Sequence, residues 1–254
     1  LGERITYTDN GGNFEFTDIT PLGSYLFVAT VSNYEDYGER ITISEGDNLK
    51  NLSLRSTGTY SGEAGIEYEV SITNPETGYA HVTGIFKHIL SETVTMRMHY
   101  VDNRWISIEN IVVTNENEDP LPFELSVTHD FFYWYNLEIE AGTSSRIILE
   151  YDIHYVSICH NGDPNCIHAY ICDSYAVFET MGHILFLGSA DYLLTDGIAV
   201  RFTLPPGWIR VAPLDRHGDY FVNSEVGEIE YAYPGVGRFE LHRESIGDSE
   251  FAIG

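Results

Sequence analysis

The chain has 254 residues, 43% of them hydrophobic, with 39 acidic side chains against 13 basic ones and a formal net charge of −26. That apolar content supplies a packed core and argues against disorder, while the length suits one large or two ordinary domains. The charge argues against binding to nucleic acid or anionic lipid, favours solubility and a capacity for cations, and no apolar run reaches the roughly 18 residues of a membrane span.

Residues 1–56 alternate in strand fashion between closely spaced turns. Asp9-Asn-Gly-Gly-Asn13 is a tight turn, because glycine and asparagine tolerate positive φ, and Phe14 and Phe16 then alternate with Glu15. Pro21-Leu-Gly-Ser24 turns into a strand over 25–31. Tyr34 to Tyr37 leads into Arg40 to Ile43, and Glu45-Gly-Asp47 turns into Leu49 to Leu54. The glycine- and serine-rich stretch from Ser56 to Gly65 reads as a linker. Strands are then predicted at 66–72, 79–86, 94–99, 105–113, 123–127, 131–139, 146–156, 176–178, 184–187, 198–204 and 239–242, with turns at 74–78, 119–122 and 205–207. The last residues, 245–254, read as the end of a strand followed by a short linker. The pattern predicts an all-β chain of two antiparallel β-sandwich-type domains, 1–56 and 66–254, the first small and lacking its leading strands.

Specific stretches carry a family resemblance. Ala199 to Leu214, with Pro205-Pro-Gly-Trp208 at its centre, and the closing Asp248-Ser-Glu-Phe-Ala-Ile-Gly254 resemble the end of the N-terminal β domain of glycyl aminopeptidase-like, thermolysin-type metallopeptidases. Asn117 to Phe123, Ile147 to Tyr155 and Asp173-Ser-Tyr-Ala-Val-Phe178 extend the likeness over most of 66–254. Cys159 to Cys172 departs from it, being longer than the family's loop and cysteine-containing. Asn13-Phe-Glu-Phe16, Pro21-Leu-Gly-Ser-Tyr25 and Asn33-Tyr34 resemble a partial carboxypeptidase regulatory-like, transthyretin-type domain. The resemblance implies a secreted or cell-surface, non-catalytic front region that supports a zinc domain outside this chain. A surface or filament subunit assembled through strand pairing is the alternative, since a sandwich missing strands offers an open edge to another copy or to another part of the chain.

The chemistry of the parent family is not in these residues. A thermolysin-type site needs His-Glu-x-x-His on a helix, with both histidines on one face for zinc and the glutamate as general base. None of the ten histidines is followed by glutamate. Nucleophile elbows and phosphate- or dinucleotide-binding glycine loops are missing too, so the chain is predicted not to be an enzyme and to hold no cofactor. Cys159 and Cys166 are candidates for a disulfide across a turn-rich loop, which would indicate an oxidising compartment. Zinc at Cys159, His160, Cys166, His168 and Cys172, or free thiols, are the competing readings, and the spacing does not favour zinc. Calcium is open to Asp9, Asp18, Asp36, Asp47 and Asp102 beside Asn and Gly, without a twelve-residue calcium loop. His81, His88, His99 and His154 read as ordinary strand histidines, and Phe131 to Tyr135 as a strand buried on both faces, with an exposed carbohydrate or partner platform as the alternative. Asn51-Leu-Ser53 is a glycosylation sequon if the chain is secreted.

Overall fold

The computed structural model describes residues 4–17, 19, 22–46, 48–99, 106–129, 133–155, 170–171, 174–178, 181–188, 197–223, 231–232, 234–240, 242–246 and 249–253. The N-terminal part contributes two strands, β1 (Gly23–Ala29) and β2 (Tyr37–Ile43), antiparallel from Gly23↔Ile43 to Ala29↔Tyr37. The strands expected around Phe14 to Phe16 and over Leu49 to Leu54 are not formed. Aromatic packing takes the place of a ladder there. Phe14 and Phe16 lie 5.4 and 6.4 Å from Phe27 of β1, and Phe27 lies 6.3 Å from Tyr37 of β2. Such ring pairs bury apolar area without fixing the backbone as a strand.

The remaining strands are β3 (Ile66–Ser71), β4 (Tyr79–Lys87), β5 (Thr93–His99), β6 (Ile106–Asn115), β7 (Phe123–His129), β8 (Tyr133–Glu140), β9 (Arg146–Tyr155), β10 (Tyr170–Ile171), β11 (Tyr175–Val177), β12 (Leu187–Gly188), β13 (Ile198–Thr203), β14 (Ile209–Val211), β15 (Asp215–His217), β16 (Tyr220–Asn223), β17 (Gly235–Gly237), β18 (His242–Ile246) and β19 (Ser249–Ile253). They form a seven-stranded sheet, β15-β16-β13-β3-β4-β9-β6, two four-stranded sheets, β12-β5-β8-β7 and β10-β11-β17-β14, and a two-stranded sheet, β18-β19. The all-β, sandwich-type expectation is met. Among the described residues one pairing is parallel: β13 runs beside β3 from Ile198↔Ile66 to Thr203↔Ser71.

Two further expectations need correction. The closing residues, read as a linker, pair as the hairpin β18–β19, with His242 opposite Ile253. The strand expected at 184–187 is instead a buried loop after a 3-10 turn at Met181–His183, and only its end, β12, pairs with β5. Its apolar run suits a buried loop as well as a buried strand, since periodicity cannot separate the two. The loop's backbone is satisfied by tyrosines: the Tyr151 hydroxyl donates to the Ile184 carbonyl at 2.6 Å, and the Tyr68 hydroxyl donates to that of Phe186.

The core lies between the seven-stranded sheet and these elements. Along β3, β4 and β9 burial alternates strictly, with Tyr68, Val70, Val82, Phe86, Leu149, Tyr151 and Ile153 inward and mostly polar side chains outward, Ile85 and Ile148 excepted. Met96, Met98, Leu137 and Ile139 of the smaller sheet face the same core. Gly84 is inward too, and a Cβ there would sit 2.5 Å from the Tyr68 ring.

Candidate functional surface

The outward face of the seven-stranded sheet carries several histidine, carboxylate and arginine side chains, because period-two alternation and antiparallel register place them in rows. In one row Tyr79 of β4 stacks on His154 of β9, with centroids 4.1 Å apart and planes within 3°. In the next, His81 Nδ1 lies 2.8 Å from Asp152, and Asn110 Nδ2 donates to the other Asp152 oxygen at 2.7 Å. Asn110 reaches across to Asp152 because β6 carries a bulge between Glu109 and Val112, where Asn110 adopts φ of 55°. Partial burial pushes the Asp152 carboxyl up, but the hydrogen bonds from Asn110 and His81 outweigh it and hold the group below the usual carboxylate range.

Across the sheet, Glu69 of β3 accepts from Arg201 Nε of β13 at 3.0 Å and from the Thr203 hydroxyl at 2.6 Å. Arg201 also lies over the Tyr220 ring at 5.6 Å, and Tyr60 packs on Tyr220 at 4.4 Å. Lys87 donates to Glu67 at 2.7 Å, as does the Tyr60 hydroxyl at 2.9 Å. The face is thus a set of mutually satisfied pairs. Among the described residues no group of three His, Cys, Asp or Glu side chains is placed to hold a metal.

The N-terminal segment and the sheet meet at a buried charge cluster. Asp36, 2% exposed, accepts from Arg210 Nε and the Arg210 backbone N–H at 3.0 and 2.9 Å, and from Arg216 at 3.2 Å. Asp219 lies 3.6 Å from Arg210 and 3.8 Å from Arg216. Burial pulls the Arg216 guanidinium below its ordinary pKa, and the neighbouring Asp36 pulls it back. Around this cluster the Thr57 hydroxyl donates to the Gly218 carbonyl at 3.1 Å, Ser32 to Asp219 at 3.1 Å, and the Arg40 N–H to Glu240 at 3.2 Å. Beside it is a groove of about 220 Å³ lined by Thr30, Ser32, Arg201, Thr203, Arg210 and Asp219. Both of its arginines are already held, Arg201 by Glu69 and Arg210 by Asp36, so it is not poised for an anion.

The residues singled out in the sequence fall as follows. Cys159, Cys166 and Cys172 lie outside the described residues, as do His160, His168, Asp18, Asp47, Asp102, Phe131 and Phe132. Asn51 is described and exposed. Asp9 is occupied by its own turn: its oxygens accept from the Gly11 and Asn13 N–H groups at 2.8 and 2.9 Å and from the Asn13 side chain. Asp36 is enclosed by arginines rather than open to calcium. Tyr135 is in the core, while Trp134 stacks on His99 at 4.2 Å. The Asp36–Arg210–Arg216 cluster was not foreseen. Its one sequence signal is that three of the chain's thirteen basic residues, Arg201, Arg210 and Arg216, fall within sixteen positions.

The sequence matches no protein-family model and no curated protein. Among solved structures, the fold is similar to that of an aminopeptidase N family protein from Idiomarina loihiensis, with a TM-score of 0.54 and 11% identity, covering 74% of this chain and 32% of that one. A weaker likeness, TM-score 0.43 at 9% identity, links it to a variant of the M1 zinc metallopeptidase from Deinococcus radiodurans bound to a Tyr-Ser-Ala substrate, covering 74% of this chain and 45% of the other. The chain therefore spans about a third of the length of the first and under half of the second. What is shared at these identities is the fold, the β architecture of an aminopeptidase N family structure.

Proposed function

We propose that this chain is the non-catalytic β region of a secreted or cell-surface metallopeptidase of the glycyl aminopeptidase-like type, supporting a zinc domain that lies outside these residues. The carrying observation is the pairing of a shared fold with a missing site. The likeness covers 74% of this chain but 32% of the aminopeptidase N family structure, and these residues hold no His-Glu-x-x-His. The closing motif at Asp248 to Gly254 and the partial carboxypeptidase regulatory-like pattern at 13–34 support the finer family reading. In this role the sheet supplies a rigid, polar surface, and no zinc, calcium or other cofactor is assigned to it.

The reading frame of the gene beyond Gly254 tests the proposal. A His-Glu-x-x-His within the next domain's length is expected, and zinc with peptide hydrolysis should belong to the longer protein and not to residues 1–254. A stop codon at that point would overturn it in favour of the surface or filament subunit. Stoichiometric zinc and peptide hydrolysis in residues 1–254 alone would overturn the non-catalytic assignment.

A further inference from the structure

The edge of the smaller sheet carries a feature that the peptidase-like reading does not use. β7 is the terminal strand of β12-β5-β8-β7, and among the described residues no strand pairs with its outer side. It is paired with β8 without interruption over seven positions, from Phe123↔Ile139 to His129↔Tyr133, and contains no bulge, proline or lysine. Such features are what normally blunt a sheet edge. Its side chains sort into two faces. Phe123, Leu125 and Val127 continue the row of the buried Ile139, Leu137 and Tyr135, yet they are 40%, 37% and 50% exposed. On the opposite face Glu124 stands directly across from Glu138, both exposed, and neither forms an ion pair among the described residues. Like charges directly opposite each other in an antiparallel pair are unfavourable.

We propose that the free edge of β7 is a docking site for an extended basic and apolar segment of another protein, which adds as a fifth strand. Its apolar residues would lie beside Phe123, Leu125 and Val127, and its Lys or Arg side chains beside Glu124 and Glu138. Backbone pairing supplies affinity and alternate side chains supply specificity in this mode of recognition. The occupant is not a second copy. Two β7 strands paired about a two-fold axis would bring both copies' Glu124 and Glu138 onto one face, in a chain already at −26. The inference stands independently of the metallopeptidase reading.

The probe is a blocked octapeptide of alternating Val and Lys, titrated against the whole 254-residue chain by calorimetry, with hydrogen exchange read over 123–129. Expected are saturable one-to-one binding and protection confined to β7. A peptide of the same charge with two internal prolines, which cannot complete a ladder, should not bind. The Glu124→Lys, Glu138→Lys double variant should lose about ten-fold or more in affinity, in line with reversing close charge pairs, and should gain binding of a Val/Glu octapeptide. That gain also shows that the variant is folded. Absence of binding, equal binding of the proline peptide, protection elsewhere, or indifference to the charge reversal would each overturn the proposal. So would a concentration-dependent dimer that disappears in Leu125→Lys, because the edge would then belong to a second copy.

Discussion

The molecule's edge strands are handled in opposite ways. At one end of the seven-stranded sheet, β6 is bent by a bulge, and Asn110 at its centre turns back to hydrogen-bond Asp152. At the other end, β15 is covered by the N-terminal segment: Arg216 of that strand is locked to Asp36, and the following Gly218 carbonyl accepts from Thr57. β7 has neither device, and its apolar row is exposed. Edges with such devices resist further pairing, whereas a flat apolar edge invites it. The contrast teaches that, among these three described edges, β7 alone lacks a bulge or a covering segment.

The largest effect should come from uncovering β15. Asp36→Ala leaves Arg210 and Arg216 with only the more distant and more exposed Asp219, and breaking a buried ion pair from one side costs about 3–5 kcal/mol. Denaturant unfolding should show that loss, with faster hydrogen exchange at 215–223. If stability falls by less than about 1 kcal/mol, the cluster is not what covers this edge.

A central position should respond through packing instead. Gly84→Ala places a methyl group 2.5 Å from the Tyr68 ring, whose hydroxyl is tied to the Phe186 carbonyl. Overpacking of this kind costs about 1–3 kcal/mol. A normal thermal midpoint for the variant would show that the Tyr68 ring moves freely, contrary to the packing described.

The β6 bulge should show itself through pH. Asn110→Ala puts alanine at a positive φ and removes a donor to Asp152, for a loss of about 1–2 kcal/mol at neutral pH. Asp152 in the folded chain sits below its usual range, so its contribution is present above the unfolded-state pKa and is lost as pH falls through about 4 and below. Thermal midpoints from pH 7 down to 3 should therefore fall less steeply in Asp152→Asn than in the parent. Parallel pH profiles for the two would remove Asp152 from the account of acid stability.

Period-two burial made most of this architecture legible in advance. β3 alternates apolar and polar residues cleanly, so its inward Ile66, Tyr68 and Val70 follow from the residues alone, whereas Ile147-Ile148-Leu149 of β9 needs the register to say which side chain faces out. The failures have physical causes. Phe14 and Phe16 alternate like strand residues, but their rings are satisfied by Phe27 without a ladder. Ile184 to Phe186 are apolar at every position, which fits a buried loop equally well once tyrosine hydroxyls satisfy its carbonyls. The parallel β13–β3 contact joins strands more than a hundred residues apart, a distance that no local pattern encodes. The charge cluster stayed hidden for the same reason, since Asp36 and Arg210 are 174 positions apart. The open edge of β7 could not be read either, because an alternating strand looks the same whether or not a neighbour covers it.

The smallest effect on stability should fall on β7, and its smallness carries the distinction. Leu125→Lys replaces a side chain that is 37% exposed at the end of a sheet with one that can extend into water. A substitution of that kind usually changes stability by no more than about 0.5 kcal/mol. A charge pointing into an open edge is nevertheless among the strongest barriers to strand addition. The expected outcome is an unchanged denaturation midpoint together with slower aggregation on mild heating, followed by light scattering. The equivalent change on β6, Val112→Lys, alters a residue that is 48% exposed beside an existing bulge, and it should leave aggregation where it was. If both variants slow aggregation equally, or if Leu125→Lys unfolds the chain, then β7 is no more open than β6 and the difference between the two edges disappears.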